Sequence, residues 1–283
     1  MPATPTTPQL GQAHFDRLRE IIYDRSGIHF PDGKKYVLES RLGQRLAELG
    51  VEDYGQYIAF LTTGPYQSDE FQEMFNRITI NETSFFRNEP QLNAFETRVL
   101  PELLEARASS KRLRIWSAAC STGEEPYTIA IMLHRMLGVR LADWRIEILG
   151  TDISERAINA AATGSYSDYA VRSTPQTIRT RYFKSVGRQH ELDPTIRDMV
   201  TFDKHNLRDT LGAKRYGNWD VIFCRNVTIY FDQEMRQRVA GMFYDQIADD
   251  GRLFIGHSET LRGLGVPFEP LPIPQAFCYT KAV

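Results

Sequence analysis

The stretch Leu113-Arg114-Ile115-Trp116-Ser117-Ala118-Ala119-Cys120-Ser121-Thr122-Gly123-Glu124-Glu125-Pro126-Tyr127 decides the fold class. A mostly apolar run of strand length leads into small residues, and a helical pattern then opens at Glu125 and continues to residue 137. Strand, tight turn and helix in that order form the opening unit of an α/β sheet. Outward from it, strand-length apolar runs recur at 146–151, 200–203, 221–224 and 252–255, with helical patterns at 154–162 and 232–247 between them. The closing runs, 268–271 and 276–281, flank a turn holding Pro272 and Pro274 and read as an antiparallel pair at the sheet edge. Between Gly164 and Met199 the pattern gives way to a polar stretch with Gly187 and Pro194, which reads as an insertion carrying a small hairpin arm.

The first eighty residues carry a different period. Phe15, Leu18, Ile21 and Ile22 recur three or four apart, as do Val37, Leu38, Leu42, Leu46 and Leu49, so helices are expected over 14–26 and 34–49 with stops at Gly27 and Gly50. A third is expected over 54–61. A fourth starts at Ser68, a capping residue ahead of Asp69 and Glu70, and turns Phe71, Met74, Phe75 and Ile78 inward. The expected organisation is a disordered tail over 1–12, where Pro2, Pro5 and Pro8 sit among Thr and Ala, then a helical domain over 13–80. A linker over 81–92 and a sheet domain over 93–283 follow, the latter with its insertion at 164–199.

With 42% hydrophobic and 25% charged residues among 283, the composition is that of a soluble globular chain. No apolar run reaches bilayer length and no signal segment opens the sequence, so membrane insertion and secretion are not expected. Cys120, Cys224 and Cys278 are odd in number and far apart, which suits a reducing cytoplasm better than a disulfide framework. A net charge of −2 speaks against bulk binding to nucleic acid. A monomer is expected.

Ligands of open α/β sheets collect at the carboxyl ends of the strands. At the first end, small residues from Ala118 onward admit a ligand to the backbone, although such residues equally suit a plain structural turn. The Gly-x-x-x-x-Gly-Lys phosphate loop is missing. The second strand ends at Asp152, spaced to accept hydrogen bonds from a ribose diol; Ser154 is free to cap the next helix in its place. Asn206-Leu207 follows the third strand and offers an amide edge beside an apolar face. The fourth runs into Arg225-Asn226, where an arginine after an apolar strand needs a carboxylate partner. Phe85 and Phe86, adjacent aromatics in the linker, read as packing that staples two domains together.

Asn81-Glu82-Thr83-Ser84-Phe85-Phe86-Arg87, the Trp116–Tyr127 string, Phe223-Cys224-Arg225-Asn226-Val227-Thr228-Ile229-Tyr230-Phe231-Asp232 and Gly256-His257-Ser258-Glu259 together resemble the CheR family of chemotaxis receptor methyltransferases. The resemblance covers nearly the whole chain from about His14. It implies a class I methyltransferase fold: a Rossmann-like, mostly parallel sheet with an antiparallel last strand and an inserted antiparallel β-subdomain, preceded by a small all-α domain. It implies S-adenosylmethionine as cofactor, no metal, and S-adenosylhomocysteine as product. By similarity Asn81, Thr83, Arg87, Ala118, Glu125, Asp152, Asn206, Leu207, Arg225 and Asn226 contact the cofactor, and Arg87 and Tyr230 lie nearest the methyl group. The expected reaction is esterification of glutamate side chains on the cytoplasmic helices of methyl-accepting receptors. A glutamate with a reference pKa near ~4.3 is ionised at neutral pH, so no general base is required. Lys34, Arg41 and Arg45 share a face of the second helix and are candidates for receptor recognition, a solvated face being the alternative. Two departures stand out. Thr228 replaces an apolar residue, and the inserted arm is short, which puts docking on a receptor C-terminal pentapeptide in doubt. The competing reading is a non-catalytic module that binds S-adenosylmethionine or its product; a nucleic-acid methyltransferase is disfavoured by the lack of an Asp-Pro-Pro-Tyr-like string.

Overall fold

The first two helices, α1 (Gln12–Ser26) and α2 (Lys35–Leu49), stop where glycine takes a left-handed conformation, Gly27 at φ 74° and Gly50 at φ 66°. A side chain would be strained at either position. In this computed structural model, which describes residues 8–63 and 67–282, α3 (Tyr54–Thr63) and α4 (Gln67–Ile78) follow. Phe15, Leu18, Ile22, Leu38, Leu42, Leu46, Tyr57, Leu61, Met74 and Phe75 are buried as the helical period requires, whereas Val37 and Leu49 lie at the margin. This helical unit extends to Ile80 and takes in Tyr230–Asp232, whose Phe231 forms an isolated antiparallel bridge with Ile28.

Three local expectations change. Ser68 lies inside α4, which already includes Gln67, so it is not the cap. The expected tail lies outside the described residues up to residue 7, but Leu10 is fully buried and its N–H donates to Glu39 Oε1 at 2.8 Å. Lys34 stands on a short 3-10 turn (Asp32–Lys34) ahead of α2, while Arg41 donates to the carbonyls of Arg77 and Thr79, and Arg45 pairs with Glu70 at 2.6 Å. Hence the three cations do not form one solvated row.

The remaining chain forms the second unit. It opens with a segment the sequence reading passed over, a helix in three parts: α5 (Glu89–Ala94), a π-helical stretch (Phe95–Val99) and α6 (Leu100–Ala106). Pro90 and Pro101 punctuate the sequence there. Pro90 occupies a first-turn position, where a missing N–H costs nothing, and the widened turn just ahead of Pro101 spares it the clash of an unbroken α-helix. Then come β1 (Arg112–Ala118), α7 (Glu124–Leu137), β2 (Arg145–Asp152) and α8 (Glu155–Thr163). The insertion supplies β3 (Ser165–Ser167), α9 (Gln176–Tyr182), β4 (Phe183–Val186), β5 (Gln189–Leu192) and α10 (Pro194–Arg197). The chain closes with β6 (Val200–Lys204), β7 (Trp219–Cys224), α11 (Gln233–Gln246), β8 (Ile247–Ile255), β9 (Phe268–Pro270) and β10 (Cys278–Lys281).

The main sheet has the order β6-β2-β1-β7-β8-β10-β9, parallel up to β8, with β10 antiparallel to both of its neighbours. Strand order reverses between β1 and β7, so the crevice beyond their carboxyl ends is where this topology places a ligand. The insertion is a separate three-stranded antiparallel sheet, β3-β5-β4, and is less polar than its composition suggests: Tyr166, Ile178, Tyr182, Leu192 and Ile196 join the main hydrophobic core. Phe85 belongs to that core as well, edge-on to Tyr166 at 4.7 Å and to Phe183 at 4.9 Å between ring centres. It therefore secures the insertion within the sheet unit and is not a staple between domains.

Candidate functional site

The turn after β1 is bent by backbone that side chains rarely adopt: Ala119 at φ 62°, Ser121 at φ 52° and Gly123 at φ 91°. The bend brings backbone N–H groups onto the end of β2. Cys120 donates to the Thr151 carbonyl at 2.8 Å, and Ser121 donates to the Asp152 carboxylate at 2.8 Å. Asp152 is buried and accepts a second N–H, from Ser154 at 2.9 Å. The Ser154 hydroxyl in turn caps α8 by accepting from Ala157 at 3.2 Å, so Asp152 is not spent as a cap. Burial pushes the Asp152 carboxyl above the usual carboxylate range, partly offset by these N–H donors.

Beyond β7, Arg225 pairs with Glu125 at 3.0 Å, and Glu125 also accepts the Ser117 hydroxyl at 2.6 Å. Arg225 donates to the Arg87 carbonyl at 2.7 Å, while Ser121 donates its hydroxyl to the Asn81 carbonyl at 3.4 Å. The 81–87 segment is thus fastened at both ends to the crevice. The Arg87 guanidinium donates to the Glu82 carbonyl at 2.7 Å. Thr83 is half-buried along the segment, Ala118 is buried at the end of β1, and Leu207 is buried beside Asn206, whose side-chain oxygen accepts the Arg208 N–H at 3.0 Å. Tyr230 belongs instead to the helical unit, where its carbonyl accepts the His29 N–H at 2.9 Å.

One residue of the same edge escaped the reading of strand ends. The Glu259 carboxylate accepts N–H groups from Asn226 (2.9 Å), Val227 (3.0 Å), Thr228 (2.8 Å) and Gly256 (2.5 Å), and the Thr228 hydroxyl at 2.7 Å. It sets the turn in which Asn226 takes φ 60°. Its signal in the sequence was only the Gly256-His257-Ser258-Glu259 string, because a side chain that bonds backbone leaves no partner residue type to look for. Thr228, the departure from the family pattern, adds a donor here where an apolar residue would add none.

The arrangement fits a nucleoside bearing an amino-acid tail. Asp152 offers a carboxylate suited to a ribose diol, and Glu125 a carboxylate for a cationic group. Arg225 Nε is buried without a hydrogen-bond partner, a donor suited to an anionic end. Among the described residues no group of three or more His, Cys, Asp or Glu is placed to hold a metal ion.

Residues 81–277 match the family described as CheR methyltransferase, SAM binding domain, and residues 13–79 match CheR methyltransferase, all-alpha domain. A chemotaxis protein methyltransferase of Borreliella burgdorferi is 37% identical over 87% of this chain and 88% of that protein. One from Escherichia coli is 36% identical over 90% and 87% respectively, and chemotaxis protein methyltransferase 2 of Vibrio cholerae is 36% identical over 87% and 85%. With both domains matched in order along nearly the whole length, the chain belongs to the CheR methyltransferase family.

Proposed function

We infer that this chain is an S-adenosylmethionine-dependent protein-glutamate O-methyltransferase that esterifies glutamates on methyl-accepting chemotaxis receptors and releases S-adenosylhomocysteine. The observation that carries the reading is the convergence of buried Asp152 with the Glu125–Arg225–Arg87 chain at the β1/β7 crevice, in a chain that matches both family domains. When bound, the cofactor supplies an electrophilic methyl on a cationic sulfur. The chain's own residues bind, orient and exclude water. Asp152 holds the ribose, Glu125 and Arg225 the amino-acid end, with Asn81, Thr83, Ala118, Asn206, Leu207 and Asn226 completing the contact surface. Arg87, held by Glu82, presents a planar fork matched to two carboxylate oxygens, while a role for Tyr230 beside the methyl group rests on the family resemblance alone. Fixed geometry supplies the acceleration, since the glutamate arrives ionised.

No described helix is long and apolar enough to cross a membrane, and a cytoplasmic enzyme acting on the receptors' cytoplasmic helices follows from the proposed reaction. Receptor recognition is assigned to the helical unit, with Lys34 the exposed one of the three candidate cations, since Arg41 and Arg45 hold internal partners. The edge strand β4 is four residues long, so a peptide adding a strand there gains few backbone hydrogen bonds. Receptors without a C-terminal pentapeptide are therefore the proposed substrates, and micromolar binding of such a peptide would overturn that assignment. The reaction itself is tested by incubating the protein with methyl-labelled S-adenosylmethionine and receptor membranes. Alkali-labile label on receptor glutamates is expected. Cofactor binding without transfer would make the chain a sensor instead.

A further inference from the structure

A second hollow opens on the sheet unit, about 430 Å³ in volume, lined chiefly by Arg87, Asn88, Asn226, His257, Gln275 and Phe277. Four of these six have left-handed backbone: Asn88 at φ 64°, Asn226 at φ 60°, Gln275 at φ 61° and Phe277 at φ 45°. Asparagine tolerates this conformation, but glutamine and especially phenylalanine do not, so the surrounding structure must impose it. Two buried polar side chains do so. Gln91, fully buried, donates its amide to the carbonyls of Ala276 (2.7 Å) and Ile255 (2.8 Å), pinning the residue between the two strained ones to the end of β8. Glu259 pins the opposite wall through the Asn226 N–H. Strain that is held this firmly collects where a ligand is gripped.

The chemistry of the walls says which ligand. The carboxylates of the crevice, Asp152 and Glu125, serve the cofactor side, and none of the residues lining this hollow carries one. It offers a guanidinium, three side-chain amides and an imidazole, together with the Phe277 ring, 37% exposed and 6.5 Å from the His257 ring. A cationic sulfonium has no partner here. An acidic side chain with an aliphatic stem has both.

We propose that this hollow is the acceptor subsite, and that His257, Gln275 and Phe277 determine specificity for the acidic segment bearing the target glutamate. The proposal rests on the reaction inferred above. Donors from His257 and Gln275 steer acidic neighbours of the target, and Phe277 packs on the glutamate stem so that its carboxylate meets Arg87.

The test is a charge reversal of matched size in the intact protein, using receptor membranes as acceptor. His257→Glu should raise the KM for receptor at least tenfold and His257→Gln no more than about threefold, with the difference shrinking as salt is added. Cofactor Kd by calorimetry should stay within twofold in both, which also reports that each variant is folded. Phe277→Leu, which keeps an apolar wall, should fall between them. Equal KM values for the Glu and Gln variants, or a loss of cofactor affinity that matches the rise in KM, would overturn the assignment and return the hollow to the cofactor or to structure. Should either charge variant lose cofactor binding through misfolding, Phe277→Leu decides by the same two constants. If the wild-type protein methylates no receptor, the inferred reaction fails first, and the two failures are told apart by that control.

Discussion

Glu70 in the helical unit and Glu259 in the sheet unit, both buried, are satisfied in opposite ways. In the helical unit Glu70, 2% exposed, is met by side chains: the Arg45 guanidinium and the Tyr57 hydroxyl at 2.8 Å. In the sheet unit Glu259, 9% exposed, is met by four backbone N–H groups and one hydroxyl. A side-chain pair locks helices together and has apolar substitutes of similar shape. A carboxylate that gathers backbone N–H groups shapes a loop, and nothing apolar can take its place, because the N–H groups would remain. The first kind of burial serves stability; the second serves the form of a site.

The largest expected effect breaks the side-chain pair. Arg45→Ala leaves the Glu70 carboxylate buried with a lone hydroxyl, and the helical unit should lose about 3–5 kcal/mol in denaturant titrations. The double replacement Arg45→Met with Glu70→Leu should recover most of that loss. If it does not, the pair contributes something that packing cannot replace, and the contrast with Glu259 fails. Glu259→Gln comes next, since it turns an amide toward groups that only donate. A cost of about 1–3 kcal/mol is expected, together with a fall in turnover at saturating cofactor that no apolar substitute at this position restores. Thr228→Val removes a single donor to Glu259 and should cost about 1 kcal/mol, measured as a shift in denaturation midpoint. A neutral result would mean that the remaining N–H groups suffice.

The smallest effect concerns an acid of a third kind, at the surface. Asp250, its side chain 52% exposed, is held below the usual carboxylate range first by its hydrogen bonds to Arg107. A lowered folded-state value means that its contribution is complete above the unfolded carboxylate pKa of about 4 and disappears as pH falls through the lower folded value. Solvent screening keeps that contribution under about 1 kcal/mol. Asp250→Asn should therefore flatten the acid limb of a melting-temperature profile while barely moving the neutral plateau. An unchanged acid limb would show that the pair is idle.

The strands were legible because each is a short apolar run bounded by a break in pattern, and the two ends of β2 and β7 announced Asp152 and Arg225 by placing charge after apolar residues. Ser154 was legible as a cap for the same local reason. Gln91 and Glu259 were not, since both bond to backbone carbonyls or N–H groups far away in sequence, and polypeptide backbone has no residue type. The helix at 89–106 was hidden by its prolines. The insertion misled through composition: most of its polar residues face water, but Tyr166, Tyr182 and Ile196 are enclosed by a core supplied from elsewhere in the chain. Tyr230 follows a sheet strand in sequence, and its membership of the helical unit depends on the His29 N–H bonded to its carbonyl and on the neighbouring Phe231–Ile28 bridge, which no local pattern announces.

The π-helical stretch at Phe95–Val99 acts as a phase shifter between two gears. On one side Leu100 and Leu103 mesh with the core; on the other Gln91 must point at two particular carbonyls. At 3.6 residues per turn, rewinding the stretch to a regular α-helix with all five residues kept would leave one residue too many and swing everything before it by about 100°. The apolar teeth would still engage, yet Gln91 would face away from Ala276 and Ile255. A chain shortened by one residue there should lose the π turn, leave Gln91 nearly in phase, and keep the grip that bends Gln275 and Phe277 into place.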